Sequence, residues 1–384
     1  MRLQITSPEP PAIFVTTATS EAAFSFLRYE QMILVLRAAR HTAPACKTLN
    51  RPYTATSAFK FARLSVSVPL ISRSGISTRR RGDSSFPFST STATSTATLQ
   101  AVKMANDHIL TLSCPDKPGI VHAVTGIFAN NSLNILDLQQ FSDRTSEKFF
   151  MRVHFGPAED TAFLKPAFDS LAAEIKMEYE LRPVATKPKV LIMVSKIGHC
   201  LNDLLFRQKT GQLSIEVPVI VSNHPDFEPL ARSYGIAFHH LPVTKDTKAD
   251  QERRILELIR ENDVDLVVLA RYMQVLSPTL CEAMSGKIIN IHHSFLPSFK
   301  GAKPYHQAYE RGVKIIGATA HFVTADLDEG PIIEQRVARV DHSMTPKELV
   351  DEGSNVESQV LAAAVKWWSE KRVFLNGTKT VVFN

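Results

Sequence analysis

The chain has 384 residues, with 44 Lys/Arg and 38 Asp/Glu, so it is long enough for two domains and a tail, and its formal net charge is +6. No apolar run approaches the roughly 20 residues that a membrane-spanning helix requires, which excludes a protein of that class and predicts no membrane partner. The four cysteines lie far apart without CxxC spacing, which argues against a disulfide framework and against a thiolate zinc site.

The first hundred residues differ in composition from the rest of the chain. Residues 1–100 hold 12 Lys/Arg against 4 Asp/Glu, a surplus of +8, and the remaining 284 residues hold 32 against 34, a balance of −2. The basic charge therefore predicts no nucleic-acid partner for the body of the protein. An Arg- and Ser-rich, acid-poor segment is typical of organellar transit peptides and predicts a mitochondrial location. Alternatively, residues 1–103 are a disordered tail, or translation starts at Met104 and the protein is cytoplasmic.

From Asp107 onward the hydrophobic pattern is that of a globular domain. Alternation over 108–114 predicts a strand, and Pro115–Gly119 predicts a turn that opens a helix near 120–130. Two β-rich runs, a second helix and a last strand follow. The predicted order up to about residue 183 is therefore βαββαβ.

One short motif in this region is specific. Asp116-Lys117-Pro118-Gly119-Ile120-Val121, with Asn134-Ile135 after the first helix, resembles the ACT family of small amino-acid-sensing modules. The resemblance implies a ferredoxin-like domain over 107–183, in which the turn and the helix N-terminus present backbone N–H groups to a small carboxylate. The alternative is that Pro118-Gly119 only starts a helix. The residues implied to hold an amino-acid effector are Asp116, Gly119, Ile120 and Asn134.

Residues 183–189 predict a linker, and strands alternate with helices beyond it. Near-continuous apolar runs predict strands that are buried on both faces, for example Val190–Ser195, Asp265–Ala270 and Lys287–Ile291. The predicted fold of 187–384 is a Rossmann-like, open and mostly parallel sheet with helices on both faces.

Three polar side chains near the end of this sheet can act together on an acyl group. Asn290 and His292 lie at the carboxyl end of the last parallel-type strand, where open α/β sheets bind ligands, and residues two apart face the same side. Asp328 lies before Gly330-Pro331 in a segment that can close over them. An amide and an imidazole can stabilise an oxyanion, and a carboxylate can orient water or move a proton. The alternative is a structural Asn and a capping Asp.

The adjacent histidines His292-His293 raise the possibility of a metal site. No third His, Cys, Asp or Glu follows at a spacing that is typical of metal-binding motifs, so no metal is predicted.

The region from about Lys187 to Phe374 resembles the formyltransferase family that uses 10-formyltetrahydrofolate. The matching stretches are Asn290-Ile291-His292, Ser294-Phe295-Leu296-Pro297, and His321-Phe322-Val323-Thr324 running into Leu327–Ile333. The resemblance implies that Asn290, His292 and Asp328 are the catalytic trio.

The same resemblance implies a set of folate-binding residues. The segment 270–277 matches the one that packs on the pterin, and the loop from Thr324 to Asp328 closes the other side. Met273, Val275 and Leu276 can alternatively be ordinary core residues. Folate is the substrate in this family, and no additional cofactor is implied. The implied folate contacts are Met273, Val275, Leu276, His321 and Thr324, of which His321 also holds the loop of Asp328.

A departure from the family pattern concerns the acceptor. Members that transfer the formyl group to a phosphorylated glycinamide carry Gly-Asn-Gly-Ser-Asn after the first strand, where small residues cradle a phosphate. This chain carries Ser195-Lys196-Ile197-Gly198-His199-Cys200, which is bulkier and less suited to phosphate. With the ACT module and the stretch Pro304–Tyr309, it resembles members that hydrolyse 10-formyltetrahydrofolate to tetrahydrofolate and formate. The resemblance implies a role in purine synthesis or in balancing one-carbon pools.

Two other functions stay open on the sequence alone. A transferase would need an amine acceptor for turnover, and a non-catalytic amino-acid sensor would turn nothing over. The intact trio argues against the sensor, and the charge of −2 outside residues 1–100 speaks weakly against a tRNA acceptor. A homo-oligomer is also expected, because ACT sheets often pair side by side.

Overall fold

The computed structural model describes residues 106–297 and 304–384. The predictions for 1–103, a transit segment or a tail, lie outside these residues. No helix in the described part of the chain combines the length and the apolar character needed to cross a membrane.

The first domain is a βαββαβ unit, as the hydrophobic pattern predicts. A short 3-10 turn at Ala162–Leu164 precedes its second helix. Its elements are β1 (His108–Pro115), α1 (Ile120–Asn130), β2 (Ile135–Asp143), β3 (Lys148–Phe155), α2 (Lys165–Ile175) and β4 (Glu178–Pro183).

These strands form one antiparallel sheet in the order β2-β3-β1-β4. Helices α1 and α2 cover one face of it and bury a cluster of aromatic rings. The ring of Phe128 lies 4.5 Å from that of Phe155 and 5.6 Å from that of Phe168, and all three are fully buried. Each buried phenylalanine stabilises the fold by about 1.5–3 kcal/mol, so this face holds the domain together.

The second domain alternates strands and helices along most of its length. Its elements are β5 (Lys189–Val194), α3 (His199–Lys209), β6 (Glu216–Ser222), α4 (Glu228–Ser233), β7 (Ala237–His240), α5 (Lys248–Glu261), β8 (Leu266–Leu269), α6 (Pro278–Ala283), β9 (Ile288–His292), α7 (Pro304–Glu310), β10 (Ile315–Phe322), β11 (Ile332–Arg339), α8 (Pro346–Ser369), β12 (Val373–Asn376) and β13 (Lys379–Val382).

Seven of these strands form the central sheet in the order β11-β10-β9-β8-β5-β6-β7. The strands from β9 to β7 in this order are parallel, whereas β10 and β11 run antiparallel to their neighbours. Helices α3 and α8 pack on one face, and α5 and α6 pack on the other. The mostly parallel sheet is therefore confirmed. The two antiparallel strands were not predicted, because an apolar run carries no information about strand direction.

Helix α8 connects the central sheet with the first domain. It begins with a capping box, in which Thr345 Oγ1 accepts from the backbone N–H of Glu348 while Glu348 Oε2 accepts from the backbone N–H of Thr345 at 2.6 Å. At its other end the carbonyl of Glu370 accepts from Arg152 Nε of the first domain at 3.2 Å. The rings of Phe150 and Phe374 meet beside this contact at 5.8 Å. The hairpin β12–β13 thus lies against the sheet face that α1 and α2 leave open.

Candidate active site

Strand β9 carries two of the three predicted catalytic residues to the carboxyl edge of the parallel strands. Asn290 pairs with Leu269 of β8 in register, and His292 ends the strand. Both side chains line one cavity of about 570 Å³, a volume that suits a small-molecule ligand. The prediction that they face the same side is confirmed.

Asp328 meets His292 inside this cavity. Asp328 Oδ1 lies 3.2 Å from His292 Nδ1, and the hydrogen bond from His292 is the main reason why the pKa of Asp328 lies below its usual value. The carboxylate is therefore ionised near neutral pH. His292 Nε2 is buried and has no hydrogen-bond partner within the described residues, so it can serve a ligand.

His321 fixes the orientation of Asn290. The two residues lie directly opposite each other on β9 and β10, and Asn290 Nδ2 lies 3.2 Å from His321 Nε2. His321 Nδ1 lies 2.8 Å from the carbonyl of Phe322, which can only accept, so Nδ1 carries the proton. Burial lowers the pKa of His321 and keeps its Nε2 unprotonated. Asn290 therefore donates one N–H to His321 and can direct the other into the cavity.

The loop that carries Asp328 is held by close backbone packing. A Cβ at Gly330 would lie 1.7 Å from the carbonyl oxygen of Phe322, so only glycine fits there. Asp328 itself has a φ of 57°, in the left-handed region. His321 Nε2 lies 3.7 Å from Asp328 Oδ1, so the predicted proximity of His321 to this loop is present.

The residues implied to bind folate divide into exposed and buried groups. Met273 and Val275 are each 55% exposed and line the cavity, so the alternative that they are ordinary core residues is wrong. Leu276 lines the cavity but is buried in the hydrophobic core that includes α5, so it also has a core role. Thr324 lies at the exposed rim, and its hydroxyl donates to the carbonyl of Asp326 at 3.1 Å.

The strand-end segment 271–276 is held by buried polar groups. Ser195 Oγ accepts from the backbone N–H of Met273 at 3.0 Å and donates to Asn223 Oδ1 at 2.7 Å. Gln251 on α5 donates to the hydroxyl of Tyr272 at 2.8 Å. These bonds fix the wall on which Met273 and Val275 stand.

A charged and polar cluster fills the cavity end next to α3. At its centre is Glu357 of α8, only 1% exposed, which accepts from Tyr305 at 2.6 Å and lies 2.7 Å from His199 Nε2. Arg271 Nε lies 3.4 Å from the same carboxylate. Burial alone would raise the pKa of Glu357, but His199, Arg271 and Tyr305 together hold it below its usual value. The cluster is therefore an ionised carboxylate surrounded by donors.

The stretch that departs from the transferase pattern lies against this cluster. Gly198 caps α3, and a Cβ there would come within 2.3 Å of the Phe227 ring. His199 reaches Glu357, and Cys200 is fully buried in the core. Ile197 and His199 of this stretch line the cavity, whereas Cys200 packs in the core instead.

His199, Cys200 and Glu357 form a group whose ligand atoms lie within 4.8 Å of one another, which is close enough to hold a metal ion. Burial raises the pKa of Cys200, so its sulfur is a thiol and a poor ligand. Both Glu357 oxygens already accept hydrogen bonds. A neutral thiol and a carboxylate that already accepts two hydrogen bonds are poor ligands for a metal ion. That no metal binds stays a prediction.

Three of the four residues implied to hold an effector, Asp116, Gly119 and Ile120, lie at the N-terminus of α1. Gly119 caps this helix with a φ of 93°, a conformation that favours glycine. Ile120 is buried, whereas Asp116 and Asn134 are exposed. Asp116 Oδ2 accepts from Ser142 of β2, and its backbone N–H donates to the carbonyl of Glu147 at 2.8 Å. The structure does not bring Asn134 to this turn: Ile135 pairs with Phe155 at one end of the sheet, whereas Pro115, which precedes the turn, pairs with Lys148 at the other end. The pattern of the sequence could not show this, because it does not fix which strand ends lie together.

Comparison with known proteins gives two family matches. Residues 108–172 match the ACT domain, and residues 188–365 match the formyl transferase family. Formyltetrahydrofolate deformylase from Corynebacterium sp. (strain P-1) is 54% identical over 280 residues, which cover 72% of this chain and 97% of that protein. The chain belongs to the formyltetrahydrofolate deformylase family.

Other members of the formyltetrahydrofolate deformylase family agree with this assignment. The enzyme from Bacillus subtilis (strain 168) is 47% identical over 279 residues, which cover 72% of this chain and 93% of that protein. The crystal structure of formyltetrahydrofolate deformylase from Burkholderia mallei ATCC 23344 superposes on this chain with a TM-score of 0.70. The two sequences are 53% identical, and the match covers 73% of this chain and 100% of the Burkholderia mallei chain. The fold of this chain is thus that of an ACT domain followed by a formyltransferase-type domain.

Two cavity residues in this deformylase-family chain were not assigned from the sequence. Arg271 lies within the stretch 270–277, which the resemblance implies to bind folate, but the sequence pattern does not indicate what its positive charge interacts with. Glu357 lies on α8 among Val356, Val360 and Leu361 of the hydrophobic core. A glutamate in such an apolar stripe is the one signal that could have pointed to a buried partner, because a buried carboxylate needs one.

Proposed function

We propose that the protein hydrolyses 10-formyltetrahydrofolate to tetrahydrofolate and formate, with Asn290, His292 and Asp328 acting on the formyl group. The observation that carries this proposal is the convergence of these three side chains on one cavity, with His292 Nε2 directed at no protein partner among the described residues. Membership of the deformylase family supports the reaction.

Water attack on the formyl carbon places negative charge on the formyl oxygen. The N–H of Asn290 that is not bound to His321 and the Nε2–H of a protonated His292 are the donors that face it. Donors aimed at such an oxyanion lower the barrier by roughly 3–4 kcal/mol each in comparable sites. His321 contributes indirectly, because it prevents the amide of Asn290 from turning its oxygen towards the charge.

Asp328 steers the protons of this reaction. Its carboxylate holds His292 through Nδ1 and can accept a hydrogen bond from the attacking water. The water oxygen bonds to the formyl carbon, the bond from that carbon to the folate nitrogen breaks, and the nitrogen takes up one proton. The second water proton leaves as formic acid ionises to formate.

The occupied end of the cavity supports water over an amine as the attacking group. Among the described residues at this end, His199 and Tyr305 are engaged with Glu357, and His199 stands where the glycinamide transferases carry a serine of the phosphate cradle. The phosphate cradle of the glycinamide transferases is therefore altered, which disfavours an amine acceptor of that type. Transfer to an amine is the alternative that the experiment below separates.

Folate is proposed to bind between two walls of the cavity. Met273, Val275 and Leu276 supply one apolar wall, and the loop from Thr324 to Asp328 supplies the other. No metal and no additional cofactor take part in the proposed reaction, because the groups needed for proton transfer and oxyanion stabilisation come from side chains.

Incubation with 10-formyltetrahydrofolate alone tests the proposal. Formate and tetrahydrofolate should appear in equal amounts, with no amine present. Addition of a phosphorylated glycinamide should neither raise the rate nor yield a formylated amine. A requirement for the amine would replace hydrolysis by transfer.

We also propose that the first domain, over 107–183, binds an amino-acid effector at Asp116, Gly119 and Ile120; Asn134, which the resemblance also implied, lies at the opposite end of the sheet and is not part of this site. The N-terminus of α1 and the left-handed Gly119 support this, because they present backbone N–H groups to a carboxylate. Titration with methionine and with glycine tests it through the rate of formate release. An unchanged rate with both would count against regulation by these amino acids.

Three wider assignments follow as proposals. A homo-oligomer is supported by the edge strand β2, on which Leu136 and Phe141 are exposed. A place in purine synthesis or one-carbon balance follows from formate as the product.

A mitochondrial location is supported by the composition of residues 1–103, and a cytoplasmic location applies if translation starts at Met104. Mass spectrometry of the native N-terminus distinguishes the two locations.

A further inference from the structure

Three buried nitrogen atoms in the described part of the chain lack a hydrogen-bond partner, and all three belong to residues that line the same cavity. They are Nε and Nη1 of Arg271 and Nε2 of His292. Buried donors are almost always satisfied in folded proteins, so an orphaned set in one cavity points to a ligand that accepts from it. Arg271 is 8% exposed, and a guanidinium is charged at any physiological pH.

Arg271 follows β8 and His292 ends the neighbouring parallel strand β9. Leu269 of β8 pairs with Asn290 of β9, and Arg271 and His292 each stand two residues farther along these parallel neighbours. Both side chains line the same cavity. Arg271 has a φ of 65°, and its carbonyl accepts from the backbone N–H of Ser195 at 3.3 Å, which fixes this unusual turn.

Glu357 balances the charge of Arg271 without satisfying its donors. The Glu357 oxygens already engage Tyr305 and His199, and the 3.4 Å separation from Arg271 Nε is an ion pair without hydrogen-bond geometry. Arg271 is also the only Lys or Arg among the cavity-lining residues that are described. The cavity therefore holds one guanidinium with unused N–H groups.

The chemistry of hydrolysis creates a matching acceptor. The substrate carries a neutral formamide, whereas hydrolysis leaves a carboxylate, and transfer to an amine would leave another neutral amide. The planar fork of a guanidinium fits the two oxygens of a carboxylate. We propose that Arg271, beside His292, forms a subsite for the product formate; this inference rests on the water attack proposed above.

Formate inhibition tests this subsite. Sodium formate should inhibit wild-type hydrolysis more than sodium chloride of equal ionic strength, and formamide, a neutral analogue, should inhibit far less. In Arg271→Met the inhibition constant of formate should rise by at least about tenfold, because a charge-assisted pair is lost. Arg336→Met, which removes an arginine from the edge strand β11, is the matched control and should keep the wild-type constant.

Two further variants keep the test decisive if loss of the Arg271 charge unfolds the protein. Arg271→Met/Glu357→Gln leaves no net buried charge and should also lose formate inhibition. Arg271→Lys keeps the charge but not the fork, and its constant should rise as well. Equal inhibition by formate and formamide, or an unchanged formate constant in every folded Arg271 variant, would overturn the subsite. Formate release without an amine would then still support hydrolysis, so the two proposals fail separately.

Discussion

At the scale of single residues, the proposed chemistry depends on the contact between His292 and Asp328. The two groups lie 3.2 Å apart although they come from a strand end and a distant loop. Variants that remove the proton-handling group of each residue therefore separate proton handling from binding.

Asp328→Asn should lower the rate of formate release by roughly 10²–10⁴-fold, because the amide cannot accept a proton. Binding of tetrahydrofolate, followed by fluorescence, should change by less than about threefold. Asp351→Asn removes an equal charge from an exposed site on α8 and serves as the control. A near-normal rate in Asp328→Asn would remove this carboxylate from the mechanism.

His292→Ala should lower kcat by roughly 10²–10³-fold, since it removes a donor to the oxyanion. The effect belongs in kcat, because the donor acts on charge that develops only in the transition state. His240→Ala, at an exposed strand end, is the matched control. If His292→Ala merely doubled the Michaelis constant, the proton-handling role would be wrong.

Two elements, the loop before β11 and helix α8, position the site from outside. The loop depends on the close approach of Gly330 to the carbonyl of Phe322. Helix α8 brings Glu357 into the cavity and continues to the first domain.

Gly330→Ala tests the loop. Its Cβ would lie 1.7 Å from a backbone oxygen, so the loop must shift and carry Asp328 away from His292. We expect formate release to fall by at least about 100-fold, as a misplacement of about 1 Å can cause, while the melting temperature changes little. Gly126→Ala, in helix α1, is the glycine control, because a Cβ there meets no atom within 4 Å. A crystal structure of Gly330→Ala with the 3.2 Å contact intact would contradict this explanation.

Glu357→Gln tests the buried cluster through pH. The folded-state pKa of Glu357 is lowered, so its contribution to stability is present above its unfolded pKa of about 4.5 and is lost as pH falls through the folded value. Removal of its charge leaves Arg271 buried without a counter-ion and should cost about 3–5 kcal/mol at pH 7. The difference in unfolding free energy from wild type should shrink below pH 4.5. A constant difference down to pH 3 would show that the charge of Glu357 is not involved.

Local patterns in the sequence predicted much of this arrangement. The alternation at 108–114 and the apolar runs of β5, β8 and β9 follow from burial, which leaves a direct trace in the order of residues. Arg271 and Glu357 come together only because α8 packs on the sheet. The residues next to each of them in the sequence do not indicate that the two side chains interact. The antiparallel course of β10 was missed for the same reason, because pairing partners are distant in sequence.

At the scale of the whole molecule, the two domains contact each other through polar groups near the C-terminal end of α8. Arg152, 4% exposed on its side chain, donates to the carbonyl of Glu370 and lies 3.4 Å from Asp137. Nearby, Asn376 donates to Asp143 at 2.6 Å. Because Glu357 lies on α8 and Glu370 caps its C-terminal end, this helix physically connects the first domain with the cavity.

Arg152→Met should weaken the interface and lower the unfolding free energy by about 1–3 kcal/mol, as the loss of a buried charged donor does. Basal formate release should persist, while any response to methionine or glycine should diminish. Calorimetry and effector titrations measure the two effects, and Arg144→Met, at an exposed turn, is the control. A full effector response in a destabilised Arg152→Met would exclude this interface as the connection.

The most direct measurement is the origin of the formate oxygens during turnover in ¹⁸O-labelled water. With 10-formyltetrahydrofolate as the only substrate, mass spectrometry should find one heavy oxygen in each formate released, because water supplies one oxygen and the formyl group supplies the other. Unlabelled formate, or no formate until an amine is added, would contradict the account.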